Sequence, residues 1–139
     1  MIVLDSNVIS ELMRPQPVPE VVEWVLAVPS ATLFTTCITE AEILYGIHLL
    51  PAGKRRDAIQ KQTRRLFAEL LAGRVLPFNS ACAEPYARIV TARRAAGRPI
   101  SQADAQIASI CIANGAKALV SRNVQDFERC GIEVINPFR

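Results

Sequence analysis

Three acidic residues, Asp5, Glu42 and Asp104, lie where an apolar segment ends or a helix is expected to begin. Carboxylates that gather at one place repel one another and raise each other's pKa unless a cation neutralises them. Oxygen ligands favour Mg²⁺ or Mn²⁺ over zinc, and such ions keep water and take only a few carboxylates. If these acids meet in space, we expect a site for a hard divalent cation.

Each acid also has a purely local explanation. Asp5 is placed to cap a helix that follows it. Glu42 comes three residues after Thr39, and Asp104 comes three residues after Ser101, which is the spacing of a capping box. Taken one at a time, these patterns leave helix capping and chemistry both open.

The elements around these acids are predicted to alternate between short apolar strands and helices. Strands are predicted at Ile2–Leu4, Leu33–Thr36, Val75–Phe78, Ala118–Val120 and Glu133–Ile135. Helices are predicted at Val8–Met13, from Val21 to before Pro29, from Thr39 to about Leu50, at Lys54–Leu71, from Ser80 or Ala81 to Ala96, at Ser101–Ile112 and at Val124–Arg129. This alternation predicts an α/β fold with a mostly parallel sheet covered on both faces, whose working site lies at the carboxyl ends of the strands. All three acids are expected at that edge.

Length and composition favour one domain over residues 1–139. The chain is 50% hydrophobic and 21% charged, which suffices for one core. No apolar run reaches the about 18 residues of a membrane span, and the N-terminus lacks signal-peptide features, so we expect a cytoplasmic protein without membrane contact. The net charge of +3 decides nothing about a polyanionic partner. Basic clusters at 54–65 and 93–98 fit either solvated helix faces or phosphate contacts.

The remaining reactive residue types exclude several kinds of site. The only histidine, His48, rules out a centre that needs two, and it makes a serine or cysteine triad improbable. The four cysteines are scattered without a C-x-x-C pair, so neither a zinc knuckle nor a redox dithiol is indicated, and we expect reduced thiols. Any chemistry must therefore come from carboxylates.

Five segments, in this order and spacing, give the chain a family resemblance over essentially its whole length. They are M-I-V-L-D-S-N-V-I-S-E at the start, A-E-I-L-Y-G at 41–46, I-S-Q-A-D-A-Q-I-A at 100–108, V-S-R-N-V-Q-D-F at 120–127 and I-N-P-F near the end. The chain thereby resembles the PIN-domain ribonucleases, in particular the VapC-type toxins of type II toxin–antitoxin pairs and their FitB-like subgroup.

The resemblance implies a three-layer α/β/α sandwich with a parallel five-stranded sheet. It also implies endonucleolytic cleavage of single-stranded RNA that depends on Mg²⁺ or Mn²⁺. The expected partner is a VapB- or FitA-like antitoxin, which binds DNA through its own domain, so that DNA contact would be indirect. Family members of this kind usually form homodimers.

The family's acidic pattern falls on Asp5, Glu42 and Asp104, with Asp5 and Asp104 expected to hold the principal ion. A fourth acidic position of many members corresponds to Asn123, which leaves a second metal site open; Asp126 is a candidate substitute. Supporting positions are expected at Asn123, Ser121, Ser6 and Asn7. For Arg122, Arg93 and Arg98, contact with the RNA backbone and a solvated surface role are both open.

Two alternatives are open, and the first is another class of protein that places an aspartate after the first strand of a parallel sheet. A haloacid-dehalogenase-type phosphatase needs a second aspartate where this chain has Asn7, and a phosphoacceptor receiver domain needs neighbouring acids and a lysine near the last strand, which are missing. A catalytically weak or silent PIN fold that serves as a binding module is the second alternative, and the amide at Asn123 is what favours it.

Overall fold

The computed structural model describes residues 1–139 and contains five strands and six α-helices. The strands are β1 (Ile2–Leu4), β2 (Leu33–Thr36), β3 (Val75–Leu76), β4 (Ala118–Val120) and β5 (Val134–Ile135). The helices are α1 (Ser6–Leu12), α2 (Pro19–Ala27), α3 (Cys37–His48), α4 (Lys54–Glu69), α5 (Ala83–Ala95) and α6 (Gln102–Ala113), with short 3-10 turns at Ser30–Thr32, Ser80–Cys82 and Val124–Phe127. The predicted alternation of strands and helices is confirmed.

All five strands are parallel and follow the order β3-β2-β1-β4-β5. The chain builds outward from β1 through β2 to β3 on one side, and then adds β4 and β5 on the other. The strand order therefore reverses between β1 and β4. In open α/β sheets, the crevice beyond the carboxyl ends of the strands at such a reversal is where ligands bind.

Helices cover both faces of the sheet, because successive side chains of a strand point to opposite sides. On β1 and β4, Val3 and Leu119 belong to a core cluster with residues of α5 and α6. Their neighbours Leu4 and Val120 belong to a second cluster with residues of α1, α2 and α3, against which apolar residues of α4 pack. The three-layer α/β/α architecture is thus the observed one.

Helix α6 is the most buried of the helices, as its apolar sequence predicts. Ser101 is its N-cap, and the hydroxyl oxygen accepts a hydrogen bond from the Asp104 backbone N–H at 3.1 Å. From Ala105 to Cys111 only Gln106 is not buried, whereas Ile112 at the end is 36% exposed. This helix forms the centre of one face of the sheet and begins at the carboxyl edge.

Several predicted element boundaries were wrong by a few residues. Helix α3 begins at Cys37 and not at Thr39, because the Thr36 hydroxyl accepts from the Thr39 N–H at 3.1 Å and so acts as the N-cap. The third strand ends at Leu76 instead of Phe78, since Pro77 follows and has no N–H for a sheet. The predicted helix at Val124–Arg129 is a 3-10 turn that ends at Phe127.

All four cysteines are free, as expected, and three of them are buried. Burial raises the pKa of Cys111 to about 12, so this thiol stays protonated at neutral pH. None of the helices has both the length and the apolar character needed to span a bilayer.

Candidate active site

Asp5 lies at the reversal of the strand order, directly beyond β1. Its backbone N–H donates to the Val120 carbonyl at 2.9 Å, which places Asp5 beside the last residue of β4. The side chain caps α1, since Oδ1 accepts from the Ser6 N–H at 2.8 Å. The other oxygen, Oδ2, accepts from the Ser121 hydroxyl at 2.7 Å. The carboxylate is therefore both a helix cap and the centre of a polar network.

Asn7 and Ser121 hold this network together across β1 and β4. The Asn7 amide nitrogen donates to Ser121 Oγ at 3.2 Å and to Asp5 Oδ2 at 3.4 Å. Its amide oxygen accepts from the Arg122 backbone N–H at 3.1 Å, and Ser121 Oγ accepts from the Asn123 N–H at 3.0 Å. The loop after β4 is thereby fixed to the start of α1.

The supporting residues thus act in different ways. Ser121 and Asn7 contact Asp5 with their side chains, whereas Ser6 and Asn123 take part through their backbone N–H groups. The Asn123 side chain is exposed and makes no hydrogen bond within the chain.

Asp5 is 4% exposed, and its burial raises the pKa of the carboxyl above the ordinary value. The hydrogen bonds from Ser121 and Ser6 act in the opposite direction, and the negative charge of Asp126 raises the pKa again. Of about four lone-pair positions on a carboxylate, the three hydrogen bonds leave roughly one for another ligand. Asp5 is held in place without being saturated.

Glu42 and Asp104 reach the same edge from α3 and α6. Glu42 is the most exposed of the three acids; burial, Asp5 and Asp104 all raise its pKa. Burial also raises the pKa of Asp104, and the charges of Asp5 and Asp126 add to this increase, whereas the nearby Ser101 and Arg93 oppose it. The fold therefore brings the three predicted acids within electrostatic reach of one another.

The capping-box explanation is wrong for Glu42 and partly right for Asp104. Because Thr36 and not Thr39 caps α3, Glu42 lies in the second turn of the helix, too far along to bond to the cap residue. Asp104 lies in the first turn of α6, where its backbone N–H bonds to the Ser101 hydroxyl. Helix capping thus leaves the position of the Glu42 carboxylate unexplained.

Asp126 is close enough to raise the pKa of both Asp5 and Asp104. It is exposed and belongs to the 3-10 turn after β4, three residues beyond Asn123. The negative charge on this side of the site therefore comes from Asp126, while Asn123 contributes none.

The donor set fits a hard divalent cation, but not as a closed cage. No three aspartate, glutamate, histidine or cysteine side chains are placed so that they could hold one ion together. Mg²⁺ usually takes one or two carboxylates and completes its shell with water and phosphate oxygens. A pair of carboxylates such as Asp5 and Asp104, with Glu42 within electrostatic reach, is compatible with such a shell.

The predicted contact of Arg93 with RNA is wrong, because its side chain is buried at 6% exposure. Its guanidinium donates to the carbonyls of Arg98, Asp126 and Glu128 at 2.7, 2.9 and 3.0 Å. Arg93 therefore joins the end of α5 to the loop after the 3-10 turn that carries Asp126. Its charge also favours the ionised form of Asp104.

The other two arginines remain accessible. Arg98 is exposed and pairs with Glu128 at 2.7 Å. The Arg122 side chain is 53% exposed and lies over the Phe138 ring, 3.9 Å from its centroid.

Glu11 is a buried acid that the sequence reasoning missed. It is 3% exposed, and its Oε2 accepts from the Val18 backbone N–H at 3.0 Å. Its Oε1 lies 3.4 Å from Arg14 and 3.7 Å from Arg122. The available signal was an acid on the apolar face of α1, one helical turn after Val8.

Two concave surfaces flank the acids. One, of about 690 Å³, lies among α1, α3 and α4 and includes Ser6, Glu42 and Ile43 in its lining. The other, of about 430 Å³, lies beyond β4 and β5 and includes Asp126. The acidic site thus has room for a chain-like ligand on two sides.

A parallel sheet with three acids near its strand reversal defines an open α/β protein whose ligand site lies beyond the carboxyl ends of the strands. Comparison with known proteins identifies the family, since residues 2–132 match the PIN domain. The chain belongs to the PIN-domain family.

Curated relatives match over nearly the whole chain. They include plasmid stability protein StbB of Pseudomonas syringae pv. tomato (41% identity, 99% of both chains) and VapC ribonuclease Y4jK of Sinorhizobium fredii (39%, 99% of this chain and 98% of the relative). Toxin FitB of Neisseria gonorrhoeae is 34% identical over 99% of both chains. A solved structure of FitAB bound to the IR36 DNA fragment contains a chain that superposes with a TM-score of 0.91 at 34% identity, covering 100% of this chain and 96% of that one.

Proposed function

We propose that this protein is a divalent-metal-dependent endoribonuclease and the toxin of a toxin–antitoxin pair, which cleaves single-stranded regions of RNA in the cytoplasm. The observation that carries the proposal is the hydrogen-bonded Asp5 at the strand reversal, with Glu42 and Asp104 near enough for its charge to raise the pKa of both. The similarity to VapC ribonuclease Y4jK and to toxin FitB supports both the activity and the biological role.

Asp5 and Asp104 would hold the ion, which we take to be Mg²⁺ or Mn²⁺. When bound, such an ion neutralises the acids, polarises a phosphate oxygen and lowers the pKa of a coordinated water. Ser121 and Asn7 keep the Asp5 carboxylate in a fixed orientation, so little reorganisation is needed when substrate arrives. Glu42, exposed and with a raised pKa, completes the pocket on the side of the larger concavity.

The clustering of the three acids also affects substrate binding. Without a cation, clustered carboxylates repel the phosphates of RNA. Substrate affinity and chemistry should therefore depend on the ion together. This coupling separates the proposal from a silent PIN fold, in which metal binding would not lead to RNA turnover.

The decisive test is cleavage of a structured RNA by the purified protein with Mg²⁺, with Mn²⁺ and with a chelator. Asp5→Asn and Asp104→Asn should each lower the rate by about 100-fold or more, because each removes a charged ligand. Asp57→Asn is the matched control, since Asp57 is an exposed acid in the first turn of α4. If Asp5→Asn and Asp104→Asn cut as fast as the parent, the site assignment is wrong.

We further propose that the partner is an antitoxin of the VapB or FitA type and that DNA is contacted only through it. The superposition with a chain of a FitAB complex supports this proposal. Co-expression with the product of a short neighbouring gene should yield a complex that is inactive on RNA. Sedimentation of the isolated chain should show a homodimer.

A further inference from the structure

The concavity of about 430 Å³ beyond β4 and β5 differs in character from the larger one. Its lining is polar and charged, with only one apolar residue among seven. Its volume lies in the range of about 300 to 1,000 Å³ that is typical of small-ligand sites. Its polar and charged lining residues are Arg122, Asn123, Gln125, Asp126, Asn136 and Arg139. We call this concavity the β4–β5 pocket.

The pocket neighbours the acidic site. Asp126 lines it, and the charge of Asp126 raises the pKa of Asp5 and Asp104. The backbone of Arg122 and of Asn123 is bonded to Asn7 and Ser121, which hold Asp5. A ligand in this pocket would therefore lie next to a phosphate at the acids.

Arg122 is oriented before any ligand binds. Its guanidinium carbon lies over the Phe138 ring, 3.9 Å from the centroid, and its Nη2 lies 3.7 Å from Oε1 of the buried Glu11, beyond hydrogen-bond distance. The side-chain N–H groups make no hydrogen bond within the chain and can form the fork that binds phosphate. Arg14 shares the same carboxylate, so two arginines face one acid and a net positive charge remains.

The amide side chains of the pocket also have unused hydrogen-bonding groups. Those of Asn123 and Gln125 make no hydrogen bond within the chain, and Asn136 uses only its oxygen, which accepts from the Phe138 N–H at 3.0 Å. Amide groups can donate and accept at once, which is how asparagine and glutamine contact the edges of bases. RNA recognition favours unstacked bases with exposed edges.

We infer that the β4–β5 pocket binds the RNA nucleotide adjacent to the scissile phosphate, with Arg122 on the neighbouring phosphate and Gln125 and Asn136 on the base. This inference rests on the proposed ribonuclease function and adds a substrate subsite to it. The pocket then contributes to the choice of cleavage position, since an amide pair discriminates between base edges.

The test measures binding of a fluorescein-labelled single-stranded RNA of about 12 nucleotides that contains a mapped cleavage site. Every full-length protein in the series carries Asp104→Asn to suppress cleavage, so that any loss of metal affinity is common to all of them and differences in Kd report the pocket. Kd is read from anisotropy with saturating Mg²⁺. Gln125→Ala with Asn136→Ala should raise Kd about three- to tenfold. Arg122→Lys keeps the charge but loses the fork, and should also raise Kd about three- to tenfold. Arg88→Gln changes an exposed residue of α5 and is the control, which should bind like the parent.

The same variants without Asp104→Asn should show the loss mainly in KM. A second RNA, which lacks the base next to the scissile phosphate, should bind the amide double variant and the parent equally well. The pocket variants could show an unchanged Kd while Asp104→Asn still lowers cleavage. That result would overturn the assignment of the pocket as a nucleotide site and leave the ribonuclease proposal intact. An equal loss on the abasic RNA, or weaker antitoxin binding with unchanged RNA binding, would also overturn it. Thermal unfolding of each variant checks that the fold is retained.

Discussion

The family resemblance places Asn123 at a position where many members have an acid. Its side chain is exposed, makes no hydrogen bond and lies on the loop fixed to Ser121. Asp126 already places negative charge on that side of the site. At the proposed metal site, a carboxylate at 123 would lie on the same side as Asp126, and no hydrogen bond within the chain would be lost.

Asn123→Asp is expected to leave the cleavage rate equal or to raise it by up to about tenfold at saturating Mg²⁺. Rates on one RNA substrate over a Mg²⁺ titration provide the measurement. Asn114→Asp adds the same charge at the opposite end of α6, about 18 Å from the start of that helix, and should not increase the rate. A large loss of activity in Asn123→Asp would show that the amide itself is needed.

Individual residues were predictable from sequence only where position along the chain determines position in space. Asp5 directly follows the central strand, so the topology alone brings it to the functional edge. Arg93 and Glu11 were not predictable in the same way. Their burial depends on carbonyls and N–H groups that belong to segments distant along the chain or beyond a turn, and no local pattern records such contacts.

At the scale of the elements, the start of α3 offers a comparison between two buried threonines. The Thr36 hydroxyl caps the helix by accepting from the Thr39 N–H, whereas Thr39 Oγ1 is buried without a hydrogen-bond partner. Loss of a helix N-cap costs about 1 kcal/mol of stability. Removal of an unpaired buried hydroxyl relieves a desolvation penalty of similar size. Thr36→Val should lower the free energy of unfolding by about 1 kcal/mol, and Thr39→Val should leave it equal or raise it by about 1 kcal/mol.

Urea unfolding followed by circular dichroism measures both threonine variants. Because the two substitutions are chemically identical and lie in the same turn of the chain, each serves as the control for the other. Equal destabilisation by both substitutions would mean that the Thr39 hydroxyl is hydrogen-bonded in solution. The assignment of Thr36 as the cap would then lose its support.

Arg93 joins the end of α5 to the loop after the 3-10 turn from a buried position, whereas the Arg98–Glu128 pair between the same segments is exposed. Arg93→Met should lower the free energy of unfolding by about 3 kcal/mol, because three carbonyls lose their donor in a buried place. Arg94→Met changes the neighbouring exposed residue and should change stability by less than about 0.5 kcal/mol. Thermal or urea unfolding of the pair tests this, and similar values for both would contradict the role given to Arg93.

Element types were predictable because each apolar run and each stop signal acts locally. Ser101 caps α6 as its sequence indicates, and the strand Ala118–Val120 has the predicted bounds. The start of α3 was not predictable with the same accuracy, since Thr36 and Thr39 are both good cap residues in sequence. The choice between them depends on where β2 ends, which the pairing with β1 and β3 determines.

For the whole molecule, the sheet order explains why acids from three separate elements meet. The reversal between β1 and β4 leaves Asp5 and Ser121 side by side, and α6 returns Asp104 to the same edge. The layered architecture was predictable from the alternation of elements. The exclusion of a closed three-ligand cage was not, because it depends on side-chain placement within the edge.

The clustered acids also make the stability of the metal-free molecule depend on pH. Burial and mutual repulsion raise the pKa of Glu42 and Asp104 in the folded state, and burial raises that of Asp5. The folded protein therefore binds these protons more tightly than the unfolded chain, whose carboxyls titrate near about 4. The stability that the three groups contribute is fully present below about pH 4 and is lost as pH rises through their folded-state pKa values.

Mg²⁺ should restore this loss, because it binds only the ionised acids of the folded state. At about ten times its Kd, an ion adds about 1.4 kcal/mol, which corresponds to a rise in Tm of about 3 to 5 °C for a domain of this size. Calorimetry at about pH 7.5 should show this rise in Tm, and at about pH 5 the rise should shrink as protons compete for the carboxylates.

Asp104→Asn should melt at a higher temperature than the parent without Mg²⁺ and gain less from the ion, whereas Asp57→Asn should respond like the parent. If Asp104→Asn gained as much from Mg²⁺ as the parent at both pH values, the ion would be binding elsewhere.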